Sequence, residues 1–597
     1  MIATYAATLL VCGCSLAIGQ AAIALCGVRR WSWLAPAVGL ALLCAVCWGT
    51  VRLPGDGVAS ALAAVALTAA SVGYLRGRLE WERGDIWTGL AVGLLALLAA
   101  SLPFAVEGHF GILGTGFNPD MSQHLLTADR LAGGDGAELV RQGYPLGPHA
   151  AVVALDKGLG IGLVQGFDGL TVAVGVIACL SALAAFVEMP RPQRIAGALL
   201  VGLAYMVASY FAQGAFKETM QALFVLAFVL ALREAGGNPA WRDAPLRFVP
   251  AALIAVGSAY TYSYPGPVWL AVAAAIWMGI GLAREGAALP GPAPWRAAGL
   301  ALLAFAVLVA PEIGRMVEFH NFETFDPNGP GLGNLFGQVS PFEALGIWPS
   351  GDFRLSPGDG AVPALGYYLG AAFASILLLY GLVLCWRRRE TAIVSGLGAV
   401  VVLYAIARIA GTPYTAAKAI EVAAPVSALV ILLPLLRRPV GVLFALAAGG
   451  CSLLALANAP VGPTDYSPAL TDLRPLVADG STLVLASDRL LDDEQGERYI
   501  VWELRGGRVC IERASEVRRL SPPMGAKVAA GRGVGRGSPA GVRYVVTDVE
   551  SGDRPPFAGL RLRRDADPYL LWETTRPPRG QSDCPLIAVR QARQGHG

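Results

Sequence analysis

Apolar runs of about twenty residues recur along this 597-residue chain, and that is the length a helix needs to cross the hydrocarbon core of a bilayer. Candidate spans begin near Ala6, Trp33, Ala59, Trp87, Gly166, Ile195, Thr219, Val249, Val268, Ala298, Leu365, Thr391, Ala419 and Val440, about fourteen in all. The chain is 15% charged and 55% hydrophobic, whereas a soluble chain carries about a quarter charged residues. A net charge of +3, with no basic patch interleaved with aromatics, excludes a nucleic-acid partner from the expectation. The first run, "MIATYAATLLVCGCSLAIGQAAIALC", has no basic segment before it and no small-residue cleavage site. It reads as a retained span. The fold expected is mostly α, a polytopic helical membrane protein.

The loops alternate in charge. Arg29 and Arg30, then Arg76, Arg78 and Arg83, then Arg191 and Arg194 fall in every second loop. So do Arg233, Arg242 and Arg247, then Arg284 and Arg296, Arg387 to Arg389, and Arg437 with Arg438. The positive-inside rule makes this set cytoplasmic, and an even span count then puts both termini outside. A transmembrane domain is expected over 1–458, with large outward loops at 107–165 and 311–362. An extracytoplasmic α/β domain follows over 459–597. In that domain "STLVLAS", "VRYVVTDV", "GLRLRRD" and "YLLWETT" read as strands and "EQGERYIVWELRGG" as a helix. "GRGVGRG" reads as a loop, since it follows no strand and opens no helix. Eight cysteines lie in or beside apolar runs and behave as small hydrophobes. Cys510 and Cys584 suggest one disulfide in an extracytoplasmic domain.

Polar residues gather at the outward side. "GTGFNPDMSQHLLTADRLAGG" brings Asp120 and His124, four residues apart and on one face if helical. His109, His149 and His320 also fall in outward loops. Lys217 and Glu218 in "QGAFKETMQ", Glu312 and Arg315 in "APEIGRMVEFH", Arg408, and Tyr414, Lys418 and Glu421 in "GTPYTAAKAIEVAAP" mark outward span ends. Charge at membrane depth costs several kcal/mol, so these groups should face a wet cavity or one another. Such a set suits transfer of a sugar from a polyprenyl-phosphate donor. Asp120 would be the base for the acceptor hydroxyl, and Lys217, Arg408 and Lys418 would neutralise the leaving phosphate. Glu218, His124 and His320 would orient the acceptor or hold a divalent cation, Mg or Mn. Tyr260, Tyr262 and Tyr264 would line a sugar or lipid groove. For Asp120 the alternative is helix capping, for Lys217 an interfacial anchor, and for the tyrosines an aromatic belt. Glu218, Glu312 and Asp326 are the other candidate bases.

An acidic residue in the first large outward loop, many spans and a soluble C-terminal domain resemble the type-C (GT-C) superfamily of membrane glycosyltransferases. The resemblance covers the architecture of the whole chain. It differs in two respects: "NPDMSQH" carries a single acidic residue where many members carry a pair, and about four spans precede it where many have one. It implies an integral protein of a bacterial plasma membrane, a polyprenyl-phosphate sugar as donor, and an envelope glycan, lipid or protein as acceptor. One base and no partner carboxylate imply inversion at the anomeric carbon. The other readings are a flippase or transporter of lipid-linked precursors and a non-catalytic glycan-binding scaffold.

Overall fold

The structure is a computed structural model. It describes residues 1–80, 83–133, 143–284, 292–320, 331–360, 362–465, 467–478, 480–487, 494–505, 507–513, 542–548 and 559–575. The chain divides into two compact units, Met1–Gly114 with Ala128–Val461, and Thr115–Thr127 with Gly462–Gly597. The second unit therefore takes in a short piece of the loop expected over 107–165, and its C-terminal part starts at Gly462 rather than at 459.

The first unit is a helical membrane bundle. Among the described residues ten helices are long and apolar enough to span a bilayer. The pair Arg191–Gly202 and Tyr205–Ala212, bent by 52°, makes eleven if counted as one span. Ala35–Thr50, Gly84–Ala100 and Val249–Tyr262 are apolar but shorter. Each expected run is thus a helix, and among the described residues ten of these helices pass on length and composition, or eleven with the bent pair. A 14- to 17-residue helix rises only about 21–26 Å, short of a core about 30 Å thick. Leu163–Phe186 is wholly enclosed and Pro413–Leu435 is 94% buried, so these two stand at the centre. Asp56–Leu75 and Pro265–Arg284 bury only 17% of their apolar windows, as lipid-facing helices do.

Small residues set the tightest packing. A Cβ on Gly39 would lie 1.8 Å from the Ser15 carbonyl oxygen, and one on Gly19 would lie 1.8 Å from that of Ala35. The Ile2–Leu25 and Ala35–Thr50 helices therefore touch backbone to backbone. Gln20 ties their connection by donating to the Arg30 carbonyl (3.1 Å) and accepting from the Ser32 amide (3.0 Å). Gly39→Val is expected to cost upwards of about 3 kcal/mol, because backbone cannot yield as a side chain can. A melting temperature in detergent equal to wild type would contradict this contact.

Both large loops contain helices. The first contains Asp120–Ala132 and the buried helix Gly147–Leu159, in which His149 is fully enclosed among Tyr144, Phe167 and Phe216. His149 is a core residue, not a loop histidine. The second opens as the Ile313–His320 helix, and Asp326 lies outside the described residues. Its part from Gly331 onward packs on the bundle: Tyr205 donates to the Ser350 carbonyl (3.2 Å), and Tyr414 N–H donates to the Gly331 carbonyl (3.2 Å).

A short 3-10 turn, Pro341–Leu345, carries a capping box of Ser340 and Glu343. Glu343 is 2% exposed, and burial pushes its carboxyl well above the usual carboxylate range. Folded protein then holds a proton that the unfolded chain releases, so stability falls as pH rises above about 4.5. Glu343→Gln keeps an acceptor for the Ser340 amide (3.2 Å) and has no proton to lose. It is expected to flatten the decline in melting temperature between about pH 5 and 8. Equal slopes in the two proteins would contradict the assignment.

The second unit contains a five-stranded sheet of β1 (Ser481–Ala486), β2 (Arg508–Arg513), β3 (Tyr544–Asp548), β4 (Leu560–Ala566) and β5 (Tyr569–Thr574), in the order β2-β1-β3-β5-β4. β1 runs parallel to β2 and β3, while β5 is antiparallel to β3 and β4. Leu483, Leu485, Val542 and Val545 form its core. β2, "RVCIER", escaped the sequence reading because charged residues flank its short apolar centre. Edge strand β4 exposes arginines, which discourages edge-to-edge pairing. Glu573 gathers Arg561 (2.9 Å), Arg563 (3.1 Å) and Arg543 (3.4 Å), and the hydrogen bond from Arg561 leads in holding its carboxyl below the usual range. Cys510 is disulfide-bonded; Cys584 and "GRGVGRG" lie outside the described residues.

Candidate functional site

In the bundle, the Phe216–Gly237 helix packs against Val249–Tyr262 and Pro413–Leu435. Lys217 and Glu218 start the first of these, Tyr262 ends the second, and Tyr414, Lys418 and Glu421 lie near the start of the third. Spacings of four and three put Tyr414, Lys418 and Glu421 on one helical face. Thr412 caps that helix, its hydroxyl accepting from the Thr415 amide at 3.1 Å.

These side chains converge. Lys418 Nζ lies 2.8 Å from Glu218 Oε1, and the Tyr262 hydroxyl donates to the same oxygen at 3.3 Å. Lys418 stands 4.3 Å from the Tyr414 ring centre, and Lys217 stands 3.8 Å from that of Tyr144. Both ammonium groups are thus held against aromatic faces, a geometry favourable to cations. Glu421 is fully buried, and among the described residues neither of its carboxyl oxygens has a hydrogen-bond partner. The Tyr210 hydroxyl is likewise buried without one. Glu421, Tyr210 and Tyr144 were not among the sequence candidates for binding. The signal for Glu421 was present, three residues after Lys418; Tyr210 and Tyr144 gave none, since a tyrosine beside apolar residues looks like core.

Glu312 sits in a different cluster. Its Oε1 accepts from Arg52 (2.5 Å) and Trp48 (2.7 Å) and its Oε2 from Arg315 (2.6 Å). Both oxygens are engaged, so Glu312 acts as the centre of an ion network rather than as an available acceptor. Arg315 also donates to the Tyr144 carbonyl (2.5 Å), which links the two clusters through Tyr144. His320 meets the Tyr264 hydroxyl at 3.4 Å. Arg408 is exposed at the end of Thr391–Ala410 and donates to Gln338.

Asp120 and His124 belong to the second unit. Asn118 Oδ1 accepts from the Asp120 amide at 3.0 Å, and Pro119 precedes the helix where proline is favoured. Asn118 thus performs the capping that Asp120 was a candidate for. Asp120 opens the Asp120–Ala132 helix, where a negative charge suits the helix dipole. His124 follows one turn later on the same face. Among the described residues no three His, Cys, Asp or Glu side chains form a metal-binding set.

The helices that carry the lysine–tyrosine cluster at one end carry arginines at the other. Phe216–Gly237 runs from Lys217 to Arg233, Pro265–Arg284 ends at Arg284, and Pro413–Leu435 leads to Arg437 and Arg438. A large cavity of about 1570 Å³ opens at this arginine end. Arg233 pairs there with Glu390 through two bonds (2.7 and 2.9 Å).

The chain is therefore an integral membrane protein: a helical bundle with an aromatic, doubly cationic cluster at one end and an arginine-rich cavity at the other. Its fold is similar to the cryo-EM structure of arabinofuranosyltransferase AftD from Mycobacteria, with a TM-score of 0.51 and 14% sequence identity. The likeness covers 82% of this chain and 40% of that one. At that identity it shows a shared fold and nothing further. No family model and no curated protein matches the chain.

Proposed function

We propose that this protein is a GT-C-like glycosyltransferase that moves a sugar from a polyprenyl-phosphate donor to an envelope glycan, lipid or protein. The carrying observation is the pair of lysines held against tyrosine rings, with Lys418 bound to Glu218 at 2.8 Å. Cations fixed among aromatic faces at a bundle end are what a lipid-linked phosphate and its sugar require: charge for the one, flat apolar surface for the other. The fold likeness supports the same class. By the positive-inside rule the arginine end faces the cytoplasm. The cluster then faces the outer side of a bacterial plasma membrane, with both termini extracytoplasmic.

In this reading the acceptor hydroxyl oxygen bonds to the anomeric carbon while the carbon–oxygen bond to phosphate breaks. The electron pair leaves on the phosphate, whose charge Lys217 and Lys418 offset. The hydroxyl proton passes to a carboxylate base, assigned from the sequence to Asp120. One displacement inverts the anomeric centre.

Proteoliposomes containing the chain and a panel of labelled polyprenyl-phosphate sugars separate this reading from transport. Transfer of label to envelope acceptor supports it. Movement of intact donor between leaflets, with no new glycosidic bond, would replace it with the flippase reading.

A further inference from the structure

The edge strand β4 of the second unit carries arginines that the transfer scheme does not use, and a bulge gathers them on one face. Directly opposed residues of an antiparallel pair share a face. Arg561 lies opposite Glu573 and Arg564 opposite Leu571, and Glu573 and Leu571, two residues apart, point the same way. Arg561 and Arg564 therefore share that face. Strict alternation would send them to opposite faces. The register shift between Leu562 and Arg564 makes Arg563 the extra residue of a β-bulge and brings them together. Arg563 turns to the same face, where its Nη1 meets the Tyr544 hydroxyl at 3.2 Å and Glu573 Oε1 at 3.1 Å. Asp565, opposite Leu570, falls on the other face.

Positive charge on that face exceeds what is neutralised there. Glu573 pairs with Arg561 (2.9 Å) and Arg563, and Arg543 reaches it at 3.4 Å. With Arg543 set aside, three guanidiniums still share one carboxylate, and Arg564 forms no ion pair among the described residues. The Arg561 side chain is 70% exposed, and Arg563 and Arg564 are exposed as well. Edge protection needs charge on the strand, not its collection on a single face. Each exposed guanidinium holds a partner weakly, so a single small anion would gain little. A chain bearing repeated charges makes several contacts at once. From Arg561 to Arg564 the row extends about 10 Å, which suits a polymer rather than one ion. A lipid surface fits less well. Among the described residues of this unit, Leu562 is the one large hydrophobic side chain that is exposed, and membrane-seated elements set apolar anchors beside their basic groups.

We propose that this face of β4 is a binding surface for a linear glycan bearing repeated anionic groups, held by Arg561, Arg563 and Arg564. The choice of a glycan among polyanions rests on the proposed transfer to an envelope acceptor; the requirement for repeated negative charge does not.

The test is binding of fluorescent polygalacturonate to the full chain in phosphatidylcholine nanodiscs, with methyl-esterified polygalacturonate as the uncharged match. Wild type is compared with the double variant Arg561→Gln with Arg564→Gln. A second double variant, Arg387→Gln with Arg388→Gln, loses the same charge from the membrane bundle. All four side chains are exposed, so each variant is expected to fold. Wild type should bind the acid and not the ester, less tightly as salt rises. The β4 variant should bind about tenfold less tightly, and the bundle variant as wild type does. Binding is read without any transfer step, so a failure of the transferase reading leaves this result standing. Equal binding by wild type and the β4 variant, or binding of the ester as well as the acid, overturns the proposal. So does capture of the nanodiscs by phosphatidylglycerol vesicles with no binding of polygalacturonate, which would make the face a lipid-binding one.

Discussion

Lys418→Gln is expected to lower sugar transfer by about two to three orders of magnitude, the effect of removing one preorganised group that offsets charge in a transition state. The substitution also leaves Glu218, whose side chain is 12% exposed, without its nearest cation. An unpaired buried charge is itself destabilising by about 3–5 kcal/mol, so the single variant confounds two effects. The double variant Lys418→Gln with Glu218→Gln separates them. Neutralising both restores the balance of charge and should restore most of the stability. If Lys418 offsets the leaving phosphate, transfer stays low in the double variant. Recovery of transfer together with stability would make Lys418 a brace for Glu218 and nothing more.

Asp120→Asn is expected to lower transfer by about two to four orders of magnitude, as loss of a general base does, with only a small fall in melting temperature as the helix loses a favourable N-terminal charge. Stability should hold because Asn118 supplies the cap and asparagine keeps the shape of aspartate. Circular dichroism and a thermal melt beside the transfer assay check both halves. Wild-type transfer by this variant would move the base to another carboxylate, and Glu218 is then the first to test. Glu312 is less suited, since Arg52, Arg315 and Trp48 occupy its oxygens.

Hydropathy located every long helix, because a bilayer demands continuous apolar length and the sequence shows it directly. Apolarity alone does not report where a helix stops. Ala35–Thr50 and Val249–Tyr262 are as apolar as their neighbours and simply shorter. The strands β1, β3, β4 and β5 were legible from alternation and turn residues, whereas β2 was not. For the site, lysines and carboxylates at span ends stood out because charge is rare in such a chain. Their pairing did not. That Lys418 meets Glu218 follows from the packing of Phe216–Gly237 on Pro413–Leu435, a tertiary fact with no local signature. His149 shows the reverse: the sequence places it in an outward loop, and aromatic packing buries it. The arginine loops signal orientation by their charge, whereas the cavity they line follows from tertiary packing with no local signature.

The most direct measurement is donor turnover by purified wild type with acceptor present, counting polyprenyl phosphate released and fixing the configuration of the new bond. One phosphate released per glycosidic bond, with the anomeric centre inverted, is the result predicted for single displacement at the lysine–tyrosine cluster. Intact donor, or a product of retained configuration, would contradict it.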